Sequence, residues 1–272
     1  MPEAAAESTS TGSRVEGPSR HSADRGDAGP GMTLTVPSFA PAVVLITAVA
    51  KLSIHIATNA YGPYEFHRDE FLYFAMGEHL RLFSMDFPPF IAMVAEVVRG
   101  MLGDSITAIR LPVALASTAL VVLAALSAQL LGGRRFAQGL AASCVLASLL
   151  FLRTGNLFQP VAPDQLWWML ALMTLLALGM SGNGRWWLAY GTAVGLGLLT
   201  KFSVLFLALA TLIALIVTRE RRWLKTRWPW LAAAIALVIG SPSIIGQVSL
   251  GFPVVGQMAD LTSKQLERVT YL

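Results

Sequence analysis

The stretch that decides the fold is TAIRLPVALASTALVVLAALSAQLL, residues 107–131. Arg110, close to its start, is the only charged residue in this run. A helix of about 20 apolar residues is long enough to cross the hydrocarbon core of a lipid bilayer. The run therefore predicts a membrane-spanning helix that begins near Arg110.

Further apolar runs flank this stretch on both sides and have a similar character. They cover residues 38–59, 136–153, 164–181, 186–200, 202–218 and 229–248. Together these runs predict an all-α fold, a polytopic membrane helix bundle with about seven spanning helices. Residues 88–103 form a shorter run that begins with Pro88-Pro89 and carries Glu96 and Arg99. We expect it to be interfacial or re-entrant.

The composition supports a membrane protein and argues against several soluble classes. Hydrophobic residues make up 55% of the 272 residues and charged residues only 13%, whereas a soluble domain has roughly 25% charged residues. The net charge of +4 comes from short basic clusters between apolar runs, which the positive-inside rule explains without nucleic acid. No phosphate-cradling glycine-rich loop is present, which argues against a nucleotide-driven pump.

Three regions follow from this pattern. Residues 1–35 are rich in Ala, Ser, Gly and Pro, and we predict a disordered tail. Residues 36–250 form the membrane domain, with residues 61–106 as its first outer loop and interfacial helices within that loop. Residues 251–272 are predicted to be an outer-face segment that ends in the start of an amphipathic element, which suggests a truncated chain.

The distribution of Lys and Arg predicts the orientation of the bundle. With a cytoplasmic N-terminus, and with 88–103 not counted as a span, the inner loops contain eight basic residues and one acid, Glu220. The basic residues are Arg134, Arg135, Arg185, Arg219, Arg221, Arg222, Lys225 and Arg227. The chain is thus predicted to be a multi-pass protein of the inner or plasma membrane, surrounded by membrane lipids.

The first outer loop concentrates polar side chains. They are Glu65, His67, Arg68, Asp69, Glu70, Glu78, His79, Arg81 and Asp86. Residues 69–83 have the pattern of an interfacial helix, with Asp69 and Glu70 at its N-terminus. In the structural interpretation, Asp69 is the N-cap of this helix and Glu70 complements the helix dipole. The functional interpretation is a general base at the membrane surface.

Two further charged residues lie at predicted outer ends of helices. Asp164 is either another N-cap or a functional carboxylate, because an unpaired charge at this depth is costly. Lys201 either snorkels to the interface or binds a phosphate or Asp164. Lys51 and His55 lie four residues apart on one face of the first span and are expected to face other helices or a cavity. Arg110 either pairs with Asp104 or marks the interface.

A set of short motifs in a fixed order now resembles a known family. The motifs are Phe66-His67-Arg68-Asp69-Glu70-Phe71-Leu72-Tyr73, Asp86-Phe87-Pro88-Pro89-Phe90, Gly103-Asp104-Ser105, Arg110-Leu111-Pro112, Gly132-Gly133-Arg134-Arg135 and the Gly-Leu-Leu-Thr-Lys run that ends at Lys201. Their order over about residues 40–250 resembles bacterial members of glycosyltransferase family 39 and the related protein-mannosyltransferase and aminoarabinose-transferase proteins. The resemblance implies the GT-C architecture, in which many membrane helices carry an active site in the first outer loop.

The resemblance also implies an activity and residues for it. The activity is inverting transfer of a sugar from a polyprenyl-phosphate donor to a lipid, glycan or protein acceptor on the outer face. Asp69 matches the family's essential acidic residue, with Glu70 beside it. Asp164 matches the second acidic position and Lys201 the lysine of the Leu-Thr-Lys motif.

Neighbouring residues complete the predicted site. Arg68 is a phosphate contact by its adjacency to Asp69, and His67 and Asp86 are grouped with it as substrate-binding residues. Phe87 stands where many relatives have a polar or basic residue, and relatives run to about twice this length. No metal-ligand spacing occurs among the histidines and the cysteine, although a divalent metal remains compatible with such a reaction.

Two other classes stay open at the level of sequence. A secondary transporter would also be helical, but it should show internal repeats and broken helices near the midplane. Here the polar residues collect in one outer loop, which favours an interfacial enzyme. The third hypothesis is a non-catalytic scaffold or a fragment of a membrane protein.

Overall fold

The computed structural model describes residues 36–266, and all the regular structure in them is helical. The predicted tail, 1–35, and the last residues, 267–272, lie outside the described part of the chain. The helices are α1 Pro41–Tyr61, α2 Arg68–Glu78, α3 Phe90–Leu102, α4 Ile106–Leu130, α5 Arg135–Ala147, α6 Leu149–Thr154, α7 Val161–Ser181, α8 Trp186–Thr200, α9 Val204–Val217, α10 Trp228–Ser249 and α11 Pro253–Leu261, with a 3₁₀ segment at Arg219–Lys225 and a π-helical turn at Thr262–Leu266.

Four of these helices are long and apolar enough to cross a membrane: α1, α4, α7 and α10. They correspond to four of the predicted spans, those at 38–59, 107–131, 164–181 and 229–248. The described residues therefore form an all-α membrane bundle, as the sequence predicts.

The count of about seven spanning helices is not confirmed, because the other three predicted spans are short or broken. The run at 136–153 divides at Ser148 into the 13-residue α5 and the 6-residue α6. Helix α8 has 15 residues and α9 has 14. At 1.5 Å per residue these helices reach about 20–23 Å, less than the roughly 30 Å hydrocarbon core. The predicted non-spanning run forms α3, with only 13 residues.

At the break in the third predicted span, a free backbone carbonyl accepts a hydrogen bond from a lysine of the first span, α1. Ser148 adopts an extended conformation with ψ 118°, which interrupts the helical hydrogen-bond ladder. Lys51 Nζ donates to the Val145 carbonyl at 3.1 Å, and His55 Nδ1 lies 2.8 Å from Asn156 Oδ1. Both Lys51 and His55 are fully buried. Of the two alternatives for Lys51, other helices or a cavity, the structure shows the first.

The bundle has two chemically different ends. At one end, which we call the basic end, the starts of α1 and α5 meet, because Gln138 bonds to Ala40 N at 2.8 Å and to the Gly133 carbonyl at 2.9 Å. Gly184 packs against Trp228 at the same end. All eight basic residues of the predicted inner loops lie in this region and are exposed. That the basic end faces the cytoplasm stays a prediction.

Small residues fix α8 against α10 and so position the opposite end. Gly191 and Gly195 of α8 lie directly against Ala232 and Ala236 of α10, where a β-carbon would overlap the partner helix. Such close approach is typical of helix packing in membranes. Gly191 and Gly195 are therefore helix-packing positions. The contact holds the C-terminus of α8, and with it Lys201, in a fixed place.

A labelling experiment tests the orientation. In a Cys144→Ser background, which removes the single cysteine, we expect Glu65→Cys to react with a membrane-impermeant maleimide from outside the cell. Arg185→Cys should react only after the membrane is permeabilised. Both positions are exposed and lie at opposite ends. Labelling of Arg185→Cys in intact cells would contradict the predicted orientation.

Candidate functional site

The polar loop is organised by the capping of α2. His67, not Asp69, is the N-cap: its ring Nδ1 accepts from Asp69 N at 3.3 Å. In return, His67 N donates to Glu70 Oε2 at 2.6 Å, which completes a capping box. The helix then runs from Arg68 to Glu78. The predicted helix at 69–83 was wrong in its end, and Asp69 as N-cap was wrong as well.

Glu70 is the buried anchor of this loop. Its side chain is 0% exposed, and Arg110 holds both oxygens, with Nε 2.9 Å from Oε1 and an Nη 2.7 Å from Oε2. Phe158 N also donates to Oε1 at 2.7 Å. The same guanidinium reaches Asn59 Oδ1 at 3.3 Å. Glu70 therefore connects the loop to α1, α4 and the segment before α7.

The electrostatics of this pair keep Glu70 ionised. Burial alone raises the pKa of a carboxyl group, but hydrogen bonds from Arg110 and from the Phe158 and His67 amides outweigh it, and the pKa of Glu70 lies below its ordinary value. One hypothesis from the sequence was that Arg110 pairs with Asp104. The structure contradicts it. Asp104 is occupied by Arg99 Nε at 2.6 Å, and Arg99 also holds Glu78 at 2.8 Å.

Asp69 differs from its neighbour because it faces the outside of the protein. Its side chain is 40% exposed. Gln159 Nε2 donates to Oδ2 at 3.1 Å, and Arg68 Nε donates to Oδ1 at 3.3 Å. The pKa of the nearby Tyr73 is raised by burial and by the negative charge of Asp69. Asp69 thus offers a held but accessible carboxylate.

Asp164 and Lys201 lie around the start of α9. The Ser203 hydroxyl lies within hydrogen-bond distance of both carboxylate oxygens of Asp164, at 2.9 and 2.8 Å. Lys201 is the C-cap of α8 and is exposed, and no direct ion pair joins it to Asp164 among the described residues. Asp164 lies in the first turn of α7, but Pro160 is the N-cap, so the capping interpretation of Asp164 was wrong.

Asp86 lies on the part of the loop that contacts α10. Its side chain is exposed, and its backbone carbonyl accepts from Gln247 Nε2 at 2.6 Å. Gln247 Oε1 in turn accepts from Val254 N at 3.1 Å, and Gly246 lies against the Met85 carbonyl. One glutamine therefore ties the loop to the end of α10 and the start of α11.

An apolar groove lies beside these polar groups. It has a volume of about 380 Å³ and runs between α3, α4 and α7, with Phe90, Val94, Pro112, Pro163 and Trp167 among its lining residues. Pro163 precedes Asp164 directly, and Trp167 Nε1 donates to Thr200 Oγ1 at 3.0 Å, next to Lys201. The groove therefore opens where the polar residues begin.

The structure brings the predicted site residues to one end of the bundle, which we call the polar rim: residues 67–70, Gln159, Asp164, Lys201 and Ser203. Gln159 links Asp69 to the segment five residues before Asp164. Asp86 is displaced toward α10. Sequence reasoning missed the roles of Gln159 and Ser203, because nothing in the pattern distinguishes a linking amide or hydroxyl from any other.

The metal question is limited to the described residues. Between residues 36 and 266, no group of three or more His, Cys, Asp or Glu side chains is placed to hold a metal ion. The three carboxylates of the polar rim, Glu70, Asp69 and Asp164, accept hydrogen bonds from Arg110, Gln159 and Ser203 respectively.

These features define a helical, polytopic membrane protein whose polar rim lies beside an apolar groove. The family model described as dolichyl-phosphate-mannose-protein mannosyltransferase matches residues 86–245. The chain belongs to this family, and it is accordingly a membrane glycosyltransferase of the GT-C type by descent. The match includes Asp86, Asp164 and Lys201, and it begins after residues 67–70. No curated protein and no solved structure matches the chain.

Proposed function

We propose that this chain transfers a sugar from a polyprenyl-phosphate donor to a hydroxyl of a lipid, glycan or protein acceptor, with inversion, at the extracytoplasmic face of the inner or plasma membrane. The observation that carries the proposal is the polar rim itself. An accessible carboxylate, Asp69, and two exposed cations, Arg68 and Lys201, lie at the same end of the bundle as an apolar groove.

Asp69 is the proposed general base. The acceptor hydroxyl oxygen attacks the anomeric carbon, the bond from that carbon to the phosphate oxygen breaks, and its electron pair leaves with the polyprenyl phosphate. Asp69 takes the hydroxyl proton and later releases it to water. Its 40% exposure leaves room for an acceptor, and the Gln159 and Arg68 hydrogen bonds orient it. Attack opposite the leaving phosphate inverts the anomeric configuration.

The cations of the rim are proposed to bind the donor phosphate. The Arg68 side chain is 89% exposed, and Lys201 is exposed at the end of α8. Asp164 holds Ser203 and so fixes the turn that carries Lys201. The polyprenyl chain would lie in the groove between α3, α4 and α7, where Phe90 and Trp167 stack edge to face at 5.7 Å.

Glu70 is assigned a positioning role in this proposal, although the sequence grouped it with the catalytic residues. Both of its oxygens already accept from Arg110, and the side chain is fully buried. A base must reach the proton that it abstracts. His67 is likewise placed as the cap that orients Asp69, and Asp86 as a loop residue without a defined substrate contact.

The transporter alternative has one observation in its favour, the break at Ser148 between α5 and α6. Broken helices line substrate sites in many transporters. Here, however, the break is filled by the fully buried Lys51, and the family match is to mannosyltransferases. We therefore place the transporter second.

The proposal is tested with the purified chain in liposomes that contain radiolabelled polyprenyl-phosphate sugars and a hydroxyl acceptor. The expected result is a glycoside of inverted anomeric configuration formed together with free polyprenyl phosphate. Donor that is never consumed, whatever sugar it carries, or a product that retains the configuration, would refute the proposal.

Lys201→Ala should specifically weaken use of the donor. A hydrogen bond to a charged group is worth about 1.5–3 kcal/mol, so we expect the apparent KM for the donor to rise at least about tenfold, with little change in the KM for the acceptor. The matched control is Arg185→Ala, which removes an exposed cation at the basic end. If both variants behave alike, Lys201 is a snorkelling lysine and not a phosphate ligand.

A further inference from the structure

A second apolar groove begins at the basic end and runs along the bundle between α8, α9 and α10, from Leu224 and Trp230 to Leu198 and Leu205. It has a volume of about 350 Å³ between α8, α9 and α10. Its lining includes Tyr190, Leu205, Leu212, Leu224, Trp230 and Leu237. Helix α9 is loosely held beside it, since only Val204, Leu207 and Leu215 of its 14 residues are buried. The groove is thus a gap beside a weakly packed helix.

The mouth of this groove is surrounded by positive charge. Leu224 of the 3₁₀ segment lines the groove and accepts a hydrogen bond through its carbonyl from Trp230 Nε1 at 3.0 Å. The same segment and the N-cap residue of α10 carry five exposed cations: Arg219, Arg221, Arg222, Lys225 and Arg227. Among the described residues, only Arg222 of these is in an ion pair, with Glu220 at 3.2 Å.

We propose that this groove is a binding site for one anionic glycerophospholipid. An acyl chain fills the gap between α8, α9 and α10, and the phosphodiester headgroup binds the basic segment at 219–227. Basic segments beside membrane helices attract anionic lipids. Trp230, which is 64% exposed, lies at the level where aromatic side chains meet headgroups. The headgroup would bind at the opposite end from the rim, and this groove shares no lining residue with the groove proposed for the donor chain.

Charge complementarity selects this occupant over a zwitterionic lipid. A zwitterionic headgroup adds its own cation, which the unpaired arginines repel. A free phosphate would satisfy the arginines but would leave the apolar groove unused. A lipid that fills the gap adds contacts to α9, and α9 begins directly after Ser203, the residue that holds Asp164. Bound lipid should therefore stabilise the folded protein.

The test compares phosphatidylglycerol with phosphatidylcholine, both titrated into the detergent-purified chain. Native mass spectrometry counts bound lipid, and thermal unfolding reports stabilisation. We expect tighter binding and a higher Tm with phosphatidylglycerol. The triple variant Arg219→Gln, Arg221→Gln, Lys225→Gln should lose about fivefold in phosphatidylglycerol affinity for each charge removed. The control Arg134→Gln, Arg135→Gln, Arg185→Gln removes as many charges at the same end, and its affinity should stay within about twofold of wild type.

A second variant tests the groove independently of charge. Ala233→Phe places a ring into the gap from an exposed position that lines it, and it should reduce phosphatidylglycerol binding while the charges stay. If the triple charge variant does not fold, phosphatidylglycerol binding by Ala233→Phe tests the proposal in its place. Equal binding of the two lipids, equal loss in the control triple variant, or full competition by glycerol 3-phosphate would overturn the proposal.

Discussion

Asp69→Asn is expected to lower the rate of sugar transfer by about 10²–10⁴-fold, the range that general acid–base catalysis contributes. The amide keeps the size of the side chain and can still accept from Gln159, whose amide lies 3.1 Å from Oδ2. It cannot take a proton from the acceptor. Because the side chain is partly exposed and carries no buried charge partner, the folded yield should not change. Transfer is measured as initial rates in liposomes.

The control for this variant is Glu65→Gln in the same loop. Glu65 is exposed, and its carboxylate makes no hydrogen bond among the described residues, so its neutralisation tests for a general effect of loop charge. We expect an activity within about twofold of wild type. Near-normal transfer by Asp69→Asn would exclude Asp69 as the base and would move the search to Asp164.

Glu70→Ala should destabilise the protein by about 3–5 kcal/mol, the usual cost of leaving one member of a buried ion pair without its partner. The variant leaves the Arg110 guanidinium, which is 5% exposed, without its carboxylate, and the Phe158 amide without its acceptor. Thermal unfolding in detergent measures the loss. Limited proteolysis should cut the loop at 60–90 faster. Activity falls because Asp69 loses its position.

The double variant Glu70→Met, Arg110→Met is the matched control. Replacing both charges with apolar groups of similar volume is often nearly neutral, so it should recover much of the lost stability. Equal instability of the single and double variants would show that the pair does not anchor the loop. The wild type adds a pH signature. The pKa of Glu70 is lowered on folding, so its contribution is complete above the ordinary value of 4.5 and disappears as pH falls through the folded-state value.

The long apolar runs predicted the parts of the fold that depend on composition alone. Helices α1, α4, α7 and α10 follow from hydropathy, because lipid requires about 20 apolar residues with internally bonded backbones. The broken run at 136–153 does not follow, since its interruption depends on Lys51, 94 residues earlier, which satisfies the Val145 carbonyl. A sliding window over the sequence cannot contain such a pair.

For the site as well, the sequence predicted some features and not others. Asp164 and Lys201 were predicted because charges at the ends of apolar helices are costly, whereas Asp69 was predicted from the resemblance to the family's first-loop motif. The different states of Asp69 and Glu70 could not be predicted, because adjacent carboxylates look alike until Arg110, 40 residues away, binds one of them. A pair between Arg110 and the nearby Asp104 was one of two alternatives, and it does not form, because Arg99 occupies that acid.

The partnership of Lys51 and Val145 also bears on biosynthesis. The ribosome makes α1 first, and the carbonyl that its ammonium needs arrives 94 residues later. At about 5–20 residues per second, this interval lasts about 5–19 seconds. During that time α1 carries a charge without its final acceptor, in an environment where a lone cation is costly. Helix α1 therefore lacks this stabilising hydrogen bond while the nascent chain is short. It gains the bond only after α5 has been synthesised and packs beside it.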